Sequence, residues 1–161
     1  MAVKSPLVVG SNGLPQQLQS GDTLNVPTSG ANTLALTNAE AGAIVIGAPV
    51  YSFAAGSVKK GQANAASTSG IVGLVYDVSI GAAASGPIAT DGVMTATTGQ
   101  WDAVTGQTGG LTFNSNYFLD PTTAGKLTIT APTTVGQTVV KVGRALSSTV
   151  MSVNIQDEIL L

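Results

Sequence analysis

The chain contains neither cysteine nor histidine. Without cysteine there can be no disulfide and no thiolate metal site. Without histidine the commonest general base is missing, a histidine-based triad is impossible, and zinc cannot be held through imidazole. Charge is also scarce: Asp, Glu, Lys and Arg make up 9% of the residues, against about 25% in an average soluble domain. The formal net charge is −2, and the densest basic cluster is Lys59-Lys60, too small to follow a phosphate backbone. Nucleic acid is therefore not an expected partner. No apolar run approaches the ~20 residues of a membrane span, and a membrane is not expected as a partner either. The opening MAVKSPLVVG has one Lys and an apolar patch too short for a signal-peptide core, so export by that route is not expected. Aromatic residues are only 4%, which leaves Val, Ile, Leu and Ala to build the core. Each large aliphatic contributes about 1.5–3 kcal/mol when fully buried.

What is present is a pattern of short strands and turns. A positive mean hydropathy with few charges argues against disorder. The 161 residues suffice for one domain, or one domain with an arm. A surface rich in Thr, Ser, Gly and Ala is weakly solvated and suits an assembled protein. Period-2 alternation with turn signals every few residues predicts an all-β fold, a small antiparallel β-sandwich or barrel with an extended N-terminal arm. The arm is assigned to residues 1–30 and the β-domain to 31–161, with a possible division into 31–87 and 88–161. The arm carries Pro6, Pro15 and Pro27 among isolated apolar residues, Leu7, Val8, Val9, Leu14, Leu18, Leu24 and Val26. It is either a first strand with loops of the same domain or a segment that packs on another subunit.

Within the β-domain, strands are expected at Thr33–Leu36, at Ala43–Ile46 in a central position, at Val50–Phe53 after an edge or bend at Pro49, and at Ile71–Val78. A helical turn is possible near Asn64-Ala65-Ala66, and residues 81–88 read as a small-residue connector. Everything beyond reads as β: Gly92–Thr97, Gln100–Val104, Asn116–Leu119, and Lys126–Thr130 with Leu127 and Ile129 inward. Asp120-Pro121 to Gly125 is a turn. Val140 and Val142 face in, Gly143 marks a bulge, and Met151, Val153 and Ile155 share a face. No repeat with a period of about 20–50 residues is visible, which disfavours a solenoid or propeller.

Carboxylates are the only acid–base groups to consider. A glycosidase holds two of them about 5–10 Å apart in a cleft, and Trp101 beside Asp102 is the only hint of one. Asp22, Asp91 and Asp120 stand next to Gly or Pro, where Asp caps turns. The acidic residues lack the Asp-x-Asp spacing of a calcium loop. TGQTGG (105–110) lacks the Lys and the following helix of a phosphate loop, and reads as a hairpin loop. No catalysis, cofactor or metal is expected. A sugar-binding module built on Trp101, Tyr117 and Tyr51 is a further reading.

The segment VVGSNGLPQQLQSGDTLNVP (8–27) is similar to a lead-in segment of tailed-bacteriophage virion proteins. Residues 111–161 resemble a β-module of phage structural proteins, through Tyr117-Phe118-Leu119-Asp120, Gly125-Lys126-Leu127, Thr134-x-Gly136, Val142-Gly143-Arg144-Ala145-Leu146 and Ile159-Leu160-Leu161. Related modules occur in head-decorating and tail-fibre proteins. The absence of a long repetitive shaft favours a capsid decoration, or cement, protein over a tail-fibre or baseplate adaptor. That resemblance implies a homotrimer on the outside of the virion capsid, formed in the host cytoplasm before assembly, with the major capsid protein as partner. The expected contact residues are the apolar residues of the arm together with Ile159, Leu160 and Leu161.

Overall fold

The computed structural model describes residues 30–161, together with the backbone of two N-terminal strands, β1 (Leu7–Val9) and β2 (Pro15–Gln17), which pair antiparallel with each other. The side chains of Leu7, Val8 and Val9, and all of Leu14, Leu18, Leu24 and Val26, lie outside the described residues.

Five strands close a barrel. They are β3 (Asn32–Asn38), β4 (Pro49–Ala54), β5 (Ser57–Lys60), β6 (Ile71–Val75) and the first half of β7 (Ser85–Thr95), in spatial order β3-β5-β4-β6-β7, with β7 returning to β3. All pairs are antiparallel except β3 with β5, which run parallel over Thr37-Asn38. Pro49 sits at the first residue of β4, where a missing N–H is tolerated. The second half of β7 leaves the barrel and pairs with β12 (Val150–Asn154). Beyond β12 lie β11 (Lys141–Ala145), β8 (Asn116–Leu119) and β9 (Leu127–Thr128). A separate small pair joins β10 (Thr138–Val139) to β13 (Ile159–Leu160).

Alternation governs which side chains enter the core. Tyr117 and Leu119 of β8, and Met151 and Val153 of β12, are buried, as are Val140 and Val142. The bulge expected at Gly143 is present: the ladder between β11 and β8 shifts register between Lys141 and Gly143. The barrel and the second sheet share one continuous apolar cluster, from Ile44 and Leu74 to Leu127 and Val153. β7 runs across the point between residues 87 and 88 that separates the two expected subregions.

Four local expectations are corrected. Gln100–Val104 is not a strand but part of helix α2 (Thr98–Thr105), opened by a capping box between Thr97 and Gln100 and closed by Gly106 in the left-handed region. Ala43–Ile46 is not a central strand: Ile44 makes only a lone bridge to Ile80, and Gly47, at φ +81°, turns the chain into β4. Residues 81–88 are not all connector, since Ser85–Ile88 begin β7 and pair with β3. Ile129 is not inward, because β9 stops at Thr128 and the pleat is lost one residue later. The helical turn near Asn64 falls slightly downstream, as the short α1 (Ala66–Ser69).

Candidate interaction surface

The last residues form an apolar edge that the fold holds in place. Thr138 pairs with Leu160 and Val139 with Ile159 in the β10–β13 ladder. Leu161 N–H donates to the Gln137 carbonyl at 2.9 Å, and Gly136 N–H donates to the Leu161 carbonyl at 2.9 Å. The backbone is thus fixed while the side chains face solvent: Ile159 is 62% and Leu160 65% exposed, and Leu161 is partly exposed. The same bonds bring in Val135, 88% exposed and not singled out by sequence reasoning. Its signal was masked by the turn residues around it, Pro132-Thr133-Thr134 and Gly136. No charged residue occurs between Leu127 and Val140, while Asp157 and Glu158, both exposed, directly precede Ile159, so the edge is apolar on its β10 side and acidic at the start of β13. Consecutive strand residues point to opposite faces, so Ile159 and Leu160 leave apolar side chains on both sides of this edge, and such exposed apolar surface is a candidate contact site.

A second apolar feature lies at the tip of the β4–β5 hairpin. Phe53 is 51% exposed, and Ala54, Ala55 and Gly56 beside it are exposed. The Lys59 ammonium lies 3.8 Å from the centre of the Phe53 ring, a cation–π contact.

The aromatic residues considered for sugar stacking are placed otherwise. Trp101 and Tyr117 are fully buried. The Trp101 indole N–H donates to the Thr149 carbonyl at 3.0 Å. The Tyr117 hydroxyl donates to Gln107 Oε1 at 2.6 Å and accepts from Thr112 N–H at 2.8 Å. Neither ring offers a face to a ligand, and Tyr51 is brought to neither. The sugar platform of Trp101, Tyr117 and Tyr51 is therefore corrected: two of its three members are core.

Five of the carboxylates among the described residues, Glu40, Asp91, Asp102, Asp120 and Glu158, accept hydrogen bonds. Asp102 accepts from Gly109 N–H at 3.1 Å and Gly110 N–H at 2.7 Å, tying the end of α2 to the loop that follows. Asp120 Oδ1 accepts from Thr122 N–H at 2.6 Å and Thr123 N–H at 2.8 Å, the capped turn expected from Asp-Pro. Glu40 accepts from Lys60 N–H, and Asp91 accepts from Asn32.

Clefts among the described residues include the following. One, of about 360 Å³, lies between Ser69 and Glu158, whose side chains are hydrogen-bonded. Another, of about 480 Å³, lies between Asp77 and Gln100. The third, of about 330 Å³, adjoins the apolar edge and is lined by Asp120, Thr128, Thr130, Pro132, Thr134 and Gln137. No protein-family model, curated protein or solved structure matches the chain.

Proposed function

We propose that this chain is a non-enzymatic structural protein of a tailed-bacteriophage virion, a decoration protein that binds the outside of the capsid and stabilises it. The observation that carries the reading is the set of exposed apolar side chains Val135, Ile159, Leu160 and Leu161, held in place by the β10–β13 ladder. Its side chains gain free energy only when another surface covers them, at about 25 cal/mol per Å² of apolar area removed from water. A small contact of this kind is weak by itself. Several copies linked in one oligomer, the trimer implied by the resemblance, sum such contacts into stable attachment. The major capsid protein is the proposed partner, and the N-terminal segment supplies further contacts.

Labelling the protein on intact particles and counting copies by electron microscopy tests the proposal. Hundreds of copies distributed over the head support it. A dozen or fewer copies confined to the tail overturn it in favour of a tail-fibre or baseplate component.

A further inference from the structure

The two halves of the described chain are built alike. β4 meets β6 through Pro49↔Leu74, Val50↔Gly73 and Tyr51↔Ile71, skipping one residue. β8 meets β11 through Asn116↔Arg144, Tyr117↔Gly143 and Phe118↔Lys141, skipping one residue at the same place.

The turn entering each pair is also repeated. Gly47 N–H donates to the Val75 carbonyl and Val75 N–H to the Ala48 carbonyl. Likewise Asn114 N–H donates to the Ala145 carbonyl and Ala145 N–H to the Ser115 carbonyl. Gly47 and Asn114 both have positive φ, +81° and +64°. Gly56 (φ +71°) turns the first hairpin two residues before buried Val58, as Gly125 (φ +75°) turns the second two residues before buried Leu127.

A close backbone approach is duplicated as well. A Cβ on Gly73 would lie 2.4 Å from the Ala89 carbonyl oxygen, and one on Gly143 would lie 2.5 Å from that of Ser152. Finally, the second half of β7 stands to β12 as β3 stands to the first half of β7: Leu34↔Ile88 and Asn32↔Asp91 in one, Met94↔Met151 and Asp91↔Asn154 in the other. The described chain thus repeats one five-strand order, β3-β7-β6-β4-β5 and β7-β12-β11-β8-β9, joined at Asp91 within a strand that both use; the first set closes through β3–β5, and among the described residues no such pairing joins β7 to β9. The copies have diverged in sequence, and their spacing exceeds the period of about 20–50 residues at which repeats are usually sought.

This duplication assigns a role to two free surfaces. Between the units, the tip of the second hairpin (Asp120–Gly125) is seated on the segment after β5. Gly125 N–H donates to the Gly61 carbonyl at 2.8 Å, and Ala63 N–H donates to the Asp120 carbonyl at 3.0 Å. Gln62 Nε2 donates to the Pro121 carbonyl at 3.1 Å. The equivalent tip on the first unit is Phe53–Gly56, and it is exposed. The equivalent seat on the second unit is Thr130–Pro132, beside Ile129, 47% exposed, and along the cleft of about 330 Å³. Each unit therefore has the half of the joint that the other unit does not cover.

We infer that a second copy of this chain completes the joint, with the Phe53–Gly56 tip of one copy seated on Ile129–Pro132 of the next. The inference deepens the reading of the chain as an assembling structural protein and rests on it. The contact repeats the bond from Gly56 N–H to the Thr130 carbonyl. It omits the one made by Ala63 N–H, because Pro132 stands there and has no N–H. Apolar side chains take the place of that bond: exposed Phe53 is on the tip and exposed Ile129 on the seat, at the positions held by Asp120 and Lys60 in the joint within the chain. Lys59 is the charge stacked at the tip, and the cleft along the seat carries the carboxylate of Asp120, of opposite sign. The contact is head-to-tail, so it closes into a ring or runs on as a filament, according to the angle between copies.

Because the chain has no cysteine, site-specific cross-linking is clean. Ala55→Cys and Thr130→Cys are made separately, mixed, oxidised and run on a non-reducing gel. The mixture is expected to give a disulfide-linked dimer well above that from either variant alone, and the double variant a ladder. Phe53→Asp and Ile129→Asp are each expected to shift the wild-type oligomer to monomer in sedimentation velocity, with unchanged circular dichroism. A monomeric wild type at every concentration tested overturns the inference. So does an oligomer that neither cross-links through these positions nor responds to either aspartate. Copy counting on particles is independent of these outcomes, so the joint can fail while the capsid reading stands, and the reverse.

Discussion

Replacing Trp101 tests how the two units are held together. Trp101 is the only tryptophan, lies on the buried face of α2, and packs where Gly47 of the barrel comes close. A Cβ on Gly47 would lie 3.0 Å from Trp101 Cζ3, so the ring fills the space against that backbone. Its indole N–H donates to the Thr149 carbonyl in the turn before β12. Trp101→Ala removes the ring and leaves a cavity, and large-to-small changes of this kind cost about 3–5 kcal/mol. For a domain of this size that corresponds to a fall in melting temperature of about 6–20 °C. Trp101→Phe separates packing from hydrogen bonding. The Thr149 carbonyl keeps its bond from Ala96 N–H at 3.0 Å, so losing the indole donor leaves no orphaned acceptor. The bond itself then accounts for about 1 kcal/mol of the change. Urea denaturation followed by circular dichroism measures all three proteins, since tryptophan fluorescence disappears in both variants. A Trp101→Ala protein within about 1 kcal/mol of wild type, well below the usual range for such a cavity, would refute the assignment of this ring as the bolt between units.

Other consequences follow from single positions. Buried Asn38 donates from Nδ2 to the carbonyls of Gly42 and Ile80, at 2.9 and 2.8 Å, and accepts from Glu40 N–H at 2.8 Å. Asn38→Asp, nearly the same shape, turns those donors into a carboxylate facing carbonyl oxygens, and a chemical melt should show a loss of about 2–3 kcal/mol. Gly73→Ala and Gly143→Ala each force a methyl against a carbonyl oxygen, and thermal melts should show similar losses of about 1–3 kcal/mol for both. A harmless change at one site with a severe one at the other would separate two positions that the duplication treats as equivalent. Asp120→Ala removes the acceptor for Thr122 and Thr123 N–H and should cost about 1 kcal/mol, with Asp120→Asn recovering most of it.

Much of the β-character was legible because it is written in local alternation. Val140 and Val142, and Met151 and Val153, alternate with polar residues and point inward as expected. The turn at Asp120-Pro121 and the bulge at Gly143 were legible for the same reason, since each depends on one residue type in one place. What was missed depends on distant partners. Gln100–Val104 looks like a strand by hydropathy, and the helix signal there is the Thr97-x-x-Gln100 capping box with Gly106 beyond, which a search for alternation passes over. Ala43–Ile46 has strand-like residues, but Gly47 at positive φ leaves it a single bridge. Of the candidate contact residues, Ile159, Leu160 and Leu161 are brought together with Val135, a neighbour that only the β10–β13 ladder supplies. The duplication was hidden because its shared features are backbone features, a bulge, two turns and one close approach, which tolerate many side chains.

One strand, β7, belongs to both units, ending the barrel at Asp91 and opening the second sheet there. A linker between two domains would let them swivel, whereas a continuous paired strand resists bending in every direction that would break its ladder. The β4–β5 hairpin on one side and β12, β11 and β8 on the other therefore keep one orientation through this shared ladder, as parts of a single beam rather than of two hinged bodies.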